Sequence, residues 1–382
     1  MKHKSCFIAV WLDSVRFKDR EELTYLKSLN IKKHLTQPSY LLEYTFFTGK
    51  TPIEHDIMFE TIKTKENYAL EFTNNKLLNK GIWAINNLTR WKQGKTRLVM
   101  QSKIPKQFKS ELGSSVEKQF LDFNAIKFEG LPDIFQKNGL KFEMYDWPTK
   151  STNQGIKLDF TTTNNDDNKM KNFIEKIKEG KSHFYFIHIW GLDTVQHYHV
   201  GNSKAKQKLK EYDNYVYEIL KAANETFNFV DLLVWSDHGM VPIIEKVNII
   251  QKLDLKYDQD EYIFFLDGTH ARFWFKNQAK KKEFEEKLKQ LEDKGEILTD
   301  AMKKKQNLSL NSINGELIWR CKPGYVLHPN FYEPRPDLKG MHGYSSDSEE
   351  NSGIIAANFK IDKKEVKSHE IFNIILKRLN LI

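Results

Sequence analysis

Between its polar stretches the chain carries short apolar runs of strand length. They include "CFIAVWL" at 6–12, "RLVMQS" at 97–102, a run at 140–146, "FYFIHIW" at 184–190, 230–235 within "FVDLLVW", and "GIIAANF" at 353–359. These runs do not alternate apolar with polar, so they predict strands covered on both faces, as in a parallel sheet. Segments of helical spacing lie between them. Leu23, Leu26 and Leu29 recur over 19–29, and Met170, Phe173, Ile174 and Ile177 over 168–181. Leu209, Tyr212, Val216, Ile219 and Leu220 mark 203–223, and "SHEIFNIILKRL" at 368–379 closes the chain. A short helix stopped by Gly139 precedes the run at 140–146. Alternating buried strands and amphipathic helices predict an α/β fold with a mostly parallel central sheet flanked by helices.

The stretch 262–320 has a different texture. "YIFFL", "ARFWF" and "ELIWR" flank a charged helical segment at 279–294 with spaced Glu and Lys, read as a solvated face. The expected organisation is one α/β domain from 1–261 and 321–382, with a small α/β cap inserted at 262–320.

Composition narrows the classes. Hydrophobic residues make up 40% and aromatic residues 13%, which supports a real core. The net charge of +9 favours anionic partners, but the lysines are scattered. No basic block interleaved with aromatics marks a nucleic-acid groove, so nucleic acid is not an expected partner. Cys6 and Cys321 lack CxxC partners, which argues against a zinc knuckle or a disulfide framework. The apolar run near the start ends at Asp13, and no stretch approaches the ~18 apolar residues of a membrane span. A soluble, cytoplasmic protein is expected.

In open α/β sheets ligands gather beyond the carboxyl ends of strands. Three such ends here carry an aspartate: Asp13, Asp193 and Asp237. Two add histidines, His197 one helical turn after Asp193 and His238 beside Asp237. Carboxylates and imidazoles at this density suit zinc or a similar divalent ion. His188, inside a strand, reads as a buried structural histidine. His199 reads as a surface residue and His270 as structural.

The motifs "SDHGM", "LDTVQHYHVG" and "KGMHGY" resemble the metal-binding motifs of the alkaline phosphatase superfamily, in its type I phosphodiesterase and nucleotide pyrophosphatase branch. The N-terminal "WLDSVRF" and "QPSYLLEYTFFTGKTPIEHDI" match its strand, aspartate and nucleophile pattern, and the motif order agrees. The resemblance implies an alkaline-phosphatase-like sandwich and two metal sites. One would use Asp193, His197 and His342. The other would use Asp13, Ser39, Asp237 and His238, with Ser39 as nucleophile. Where many diesterases continue with Phe-Pro-Asn-His, this chain has Tyr40, Leu41, Leu42 and Glu43, and Asp56 stands where the family usually has Gly.

The implied cofactor is a pair of divalent ions, zinc or alternatively manganese. The implied substrate is an anionic phosphate ester, a diester ahead of a monoester. A metal-coordinated serine hydroxyl is lowered in pKa, and two ions clamp an in-line displacement, giving a phosphoseryl intermediate. Tyr40 is expected over the substrate and Lys339 as a source of positive charge. A phosphoryl transferase, a phosphomonoesterase or a non-catalytic metal-binding relative shares the ligands and stays open.

Overall fold

The computed structural model describes residues 3–38, 41–64, 104–108, 110–114, 128–145, 156–157, 166–257, 260–331 and 337–382. The expected strand at 97–102 lies outside these residues, as do Ser39 and Tyr40.

The central sheet is built from β1 (His3–Leu12), β2 (Lys32–Leu35), β3 (Phe142–Tyr145), β4 (Ile156–Lys157), β5 (Phe184–Ile189) and β6 (Phe227–Trp235). Residues 262–321 contribute none of its strands; they supply β7 to β10, described below. The sheet is completed by β11 (Gly353–Ala357) and β12 (Glu365–Lys367). Its order is β12-β2-β11-β6-β1-β5-β3-β4. Every strand but β11 points the same way. The carboxyl ends of β1, β2, β5, β6 and β12 therefore open on one edge.

Burial on both faces explains the unbroken apolar runs. In β1, Ile8, Val10 and Leu12 pack on one side of the sheet, and Phe7, Ala9 and Trp11 on the other. The first side is covered by α4 (Asp166–Glu179) and α6 (Ser203–Thr226). Met170, Phe173, Ile177, Leu209, Tyr212, Val216 and Ile219 join its core. The second side is covered by α2 (Glu43–Thr48), α3 (Leu131–Lys137) and α9 (Ser368–Arg378). Asn202 caps α6 by accepting from the amides of Lys204 and Ala205. Such a cap is worth about 1 kcal/mol.

The expected helix at 19–29 is two pieces, a 3₁₀ segment Phe17–Glu22 and the short α1 (Thr24–Ser28). The break has a tertiary cause. Asp213, on α6, accepts hydrogen bonds from the amides of Tyr25 and Leu26 at 2.8 Å each, capping a new helix start.

Residues 262–321 form their own antiparallel sheet, in order β7 (Tyr262–Leu266), β8 (His270–Phe275), β10 (Leu317–Cys321), β9 (Gly295–Ile297). Helix α7 (Gln278–Lys289) packs on it, and α8 (Asp300–Lys305) follows β9. The outer face of α7 is laced by Lys280 and Lys287, both paired with Glu283. Inside this sheet Arg272 and Asp267 form a buried ion pair at 2.5 Å, and Arg272 also donates to the Thr61 carbonyl.

Candidate metal centre

Five segments meet at the carboxyl edge. β1 delivers Asp13, and β6 delivers Asp237 and His238. The helix α5 (Gly191–His199), directly after β5, carries Asp193 and His197 one turn apart on one face. His342 directly follows the short strand Gly340–Met341, which pairs with Val241–Pro242. The fifth is β2, whose His34 donates through Nδ1 to the Ser236 carbonyl.

Local packing locks each segment. Ser236 Oγ donates to the His238 carbonyl at 2.7 Å and accepts from the Val15 amide at 2.8 Å, closing the turn after β6 against the turn after β1. Gly239 is required there, since a Cβ would stand 2.2 Å from the Glu350 carbonyl oxygen. At α5 the Leu192 amide donates to the Tyr212 hydroxyl at 2.8 Å, which donates to Asp166 at 3.2 Å. Gln196 Nε2 donates to the Ser14 carbonyl at 2.8 Å and ties α5 to the end of β1. Thr269, at the edge of the second sheet, donates to the His342 carbonyl at 3.3 Å.

The sequence-derived ligands come together in two overlapping groups. Asp193, His197 and His342 form one, and Asp13, Asp193 and His238 the other; within each, the donor atoms lie within 4.8 Å of one another. Asp193 is common to both, which the chain order did not reveal. Asp237 sits beside the second group, its Oδ2 3.3 Å from His238 Nε2. Its Oδ1 accepts from the amides of His238 and Ser14, at 2.9 and 3.2 Å.

The donor set fits a cation. His197 Nδ1 lies 2.9 Å from the Gly340 carbonyl, and His238 Nδ1 lies 2.7 Å from the Gly239 carbonyl. A carbonyl only accepts, so both Nδ1 atoms carry the proton and both Nε2 lone pairs face the site. The Nε2-to-carboxylate separations are 3.4 Å for His197–Asp193 and 3.5 Å for His238–Asp13. Tetrahedral ligands about 2.0–2.1 Å from one ion stand roughly 3.3 Å apart, so these spacings fit a shared ion. Asp13 Oδ1 and Asp193 Oδ1 are buried and accept no hydrogen bond from the described residues.

The electrostatics agree. Burial, then repulsion by Asp237 and Asp193, pushes Asp13 well above the usual carboxylate range. Burial also acts on Asp193, but His197, His342 and His238 hold it well below that range. Burial, then His238, holds His342 well below the ordinary imidazole value; the two rings stack 3.8 Å apart. Like charges packed this closely are reconciled by a cation.

Two residues at this centre were not assigned to it from sequence. His188 is no isolated core histidine. Its ring stacks on Trp11 with centroids 4.0 Å apart, and its Nε2 lies 3.4 Å from Asp13 Oδ2. Burial, then Lys169, lowers it to about 3, so it is neutral. The signal was its place at the end of the strand that pairs with β1, visible only once register is known. Glu43 opens α2, and its buried Oε2 has no hydrogen-bond partner among the described residues. Burial, then Asp237 and Glu60, raises it to about 8.

Other expectations resolve plainly. His199 meets Asn202 at the end of α5, outside both ligand groups. His270 is buried in the second sheet, where burial, Arg320 and Arg272 keep it neutral. Lys339 has an exposed side chain, and its amide donates to the His197 carbonyl. Asp56 adopts φ +65°, a left-handed conformation that Asp tolerates better than most residues. Its carboxylate accepts from Ser309, a contact glycine would lack.

The model of the type I phosphodiesterase/nucleotide pyrophosphatase family matches residues 29–345. The chain belongs to this family. This type I phosphodiesterase family member shares its fold with murine ectonucleotide pyrophosphatase/phosphodiesterase 5, solved as an inactive form in complex with AMP. The TM-score is 0.72 at 15% identity, over 99% of this chain and 96% of that one. The human ectonucleotide pyrophosphatase/phosphodiesterase 5 gives a TM-score of 0.70 at 15% identity, over 100% and 96%. No curated protein matches the family member by sequence. Among its described residues no helix is long and apolar enough to cross a membrane.

Proposed function

We propose that this family member is a metal-dependent phosphodiesterase that cleaves phosphate diesters through Ser39. One observation carries the reading. Two groups of carboxylate and imidazole donors converge on a single sheet edge, with buried carboxylate oxygens that no hydrogen bond from the described residues satisfies. In this reading Asp193, His197 and His342 hold one divalent ion, and Asp13, Asp237, His238 and Ser39 hold a second. Mixed nitrogen and oxygen donors favour zinc, with manganese next. When bound, such ions lower the pKa of a hydroxyl and neutralise charge gathering on phosphoryl oxygens.

The remaining steps belong to the chain. The Ser39 hydroxyl oxygen attacks phosphorus and gives up its proton to solvent. A phosphorus–oxygen bond forms, the bond to one alcohol breaks, and that alcohol departs with a proton. Water then attacks the phosphoseryl ester, restores the serine hydroxyl and releases a phosphate monoester. Nδ1-to-carbonyl hydrogen bonds fix the tautomer and the aim of His197 and His238, and the turn closed by Ser236 sets Asp237 beside Asp13.

The test is hydrolysis of bis-p-nitrophenyl phosphate beside p-nitrophenyl phosphate, with zinc, manganese or a chelator, in wild type and Ser39→Ala. Diester cleavage that needs metal and disappears in the variant is expected. Cleavage that survives in Ser39→Ala removes the serine from the mechanism. Faster monoester cleavage makes the protein a phosphomonoesterase. No turnover in protein holding two ions makes it a transferase or a non-catalytic relative.

A further inference from the structure

A cavity of about 190 Å³ opens on the same sheet edge, between the central sheet and the segment that carries α8. Its walls include Gln37 and Pro38, Lys305, Asp347, Lys367 and His369. Three of these walls are joined to the candidate centre. Pro38 directly precedes Ser39. Ser346, also on the wall, follows His342 by four residues, at most about 14 Å of extended chain. The Ser368 hydroxyl donates to His34 Nε2 at 3.1 Å, and His34 Nδ1 donates to the carbonyl of Ser236, the residue before Asp237.

The charges at the cavity are unbalanced. Nearby lysines are neutralised: Lys33 by Glu365, Lys50 by Glu54, Lys363 by Glu370 and Lys303 by Asp300. Lys305 and Lys367 line the cavity and make no ion pair among the described residues, and Asp347 is the single acidic side chain on its wall. Gln37 cannot supply specificity freely, because its amide donates to the Asn307 carbonyl and its oxygen accepts from Thr45. The recognition chemistry on the described walls is therefore two ammonium groups and an imidazole against one carboxylate, a net positive balance that suits a phosphate.

We propose that this cleft binds a second phosphate of the substrate. Its preferred substrates would be phosphodiesters whose organic part carries a further phosphate away from the reacting phosphorus. This rests on the phosphodiesterase reading and adds a substrate class to it. Lys305 and Lys367 are specificity residues outside the candidate ligand set. Lys367 contributes its backbone amide, not its side chain, to the bond with Glu370 at the start of α9, so side-chain replacement leaves that bond in place.

The experiment compares thymidine 5′-(p-nitrophenyl phosphate) with the same ester bearing a 3′-phosphate, in wild type and in a Lys305→Gln/Lys367→Gln variant. In wild type the extra phosphate is expected to lower KM about tenfold, an advantage that shrinks with salt. In the variant that advantage disappears while kcat/KM on the plain ester stays within about twofold. Equal KM values for the two esters in wild type, or an advantage that persists in the variant, overturn the proposal. Calorimetric binding of adenosine 3′,5′-bisphosphate to both proteins needs no turnover. Binding that requires the lysines, without hydrolysis of either ester, keeps the cleft and refutes the phosphodiesterase reading. Hydrolysis of both esters without discrimination, and without lysine-dependent binding, does the reverse.

Discussion

Tyr212→Phe isolates how the fold aims Asp193. The substitution removes one oxygen and leaves the ring, so no cavity opens around a side chain that is fully buried. Burial and Asp166 keep the Tyr212 hydroxyl protonated, so it donates to Asp166 while accepting from the Leu192 amide. Asp166 keeps the Lys208 ammonium at 3.1 Å after the change, so it retains a partner. The Leu192 amide, in the first turn of α5, does not. A buried amide left without its acceptor costs about 1–3 kcal/mol, so the variant is expected to lose about 2 kcal/mol in urea unfolding. The residue next to that amide is Asp193, so zinc affinity is expected to fall about tenfold, the scale of lost support to a ligand. Urea titration of the metal-free protein and zinc competition against a chromophoric chelator measure the two effects. Stability within about 0.5 kcal/mol of wild type together with unchanged zinc affinity would refute the positioning role.

Two further perturbations separate the neighbours of the centre. His188→Ala removes the imidazole beside Asp13 and is expected to weaken metal binding about tenfold or more, read by calorimetry, with circular dichroism unchanged; undiminished affinity would return His188 to a purely packing role. Glu43 has a folded value of about 8 against an unfolded one of ~4.3, so the metal-free fold binds the extra proton between those limits. The stability this contributes is complete below ~4.3 and is lost as pH rises through 8, so Glu43→Gln should lessen the fall in urea midpoint between pH 5 and pH 8. An identical fall in the variant would show that Glu43 is not responsible.

The sequence by itself determined the α/β class and named most of the residues that the fold gathers into the candidate ligand groups. Cys6–Leu12 and Gly353–Ala357 are legible because strands buried on both faces must be apolar at every position. Asp13, Asp193 and Asp237 are legible because parallel strands put their carboxyl ends on one edge, so polar residues following strands are candidates for one site. The charged face of α7 was equally plain from its spacing. Tertiary structure decided the rest, through contacts between residues far apart in the chain. Asp213 breaks the expected helix at 19–29 by capping Tyr25 and Leu26 across 187 residues or more. Register between β1 and β5 sets Trp11 beside His188 and turns an apparent core histidine towards Asp13. Folding α5 back over the sheet edge lets Asp193 reach both ligand groups. The cleft beside Lys305 and Lys367 exists only because a segment 62 residues upstream of Lys367 in sequence returns to the end of β12. Periodicity reports which face of an element is covered; it does not report what covers it, and at this edge that is what places the chemistry.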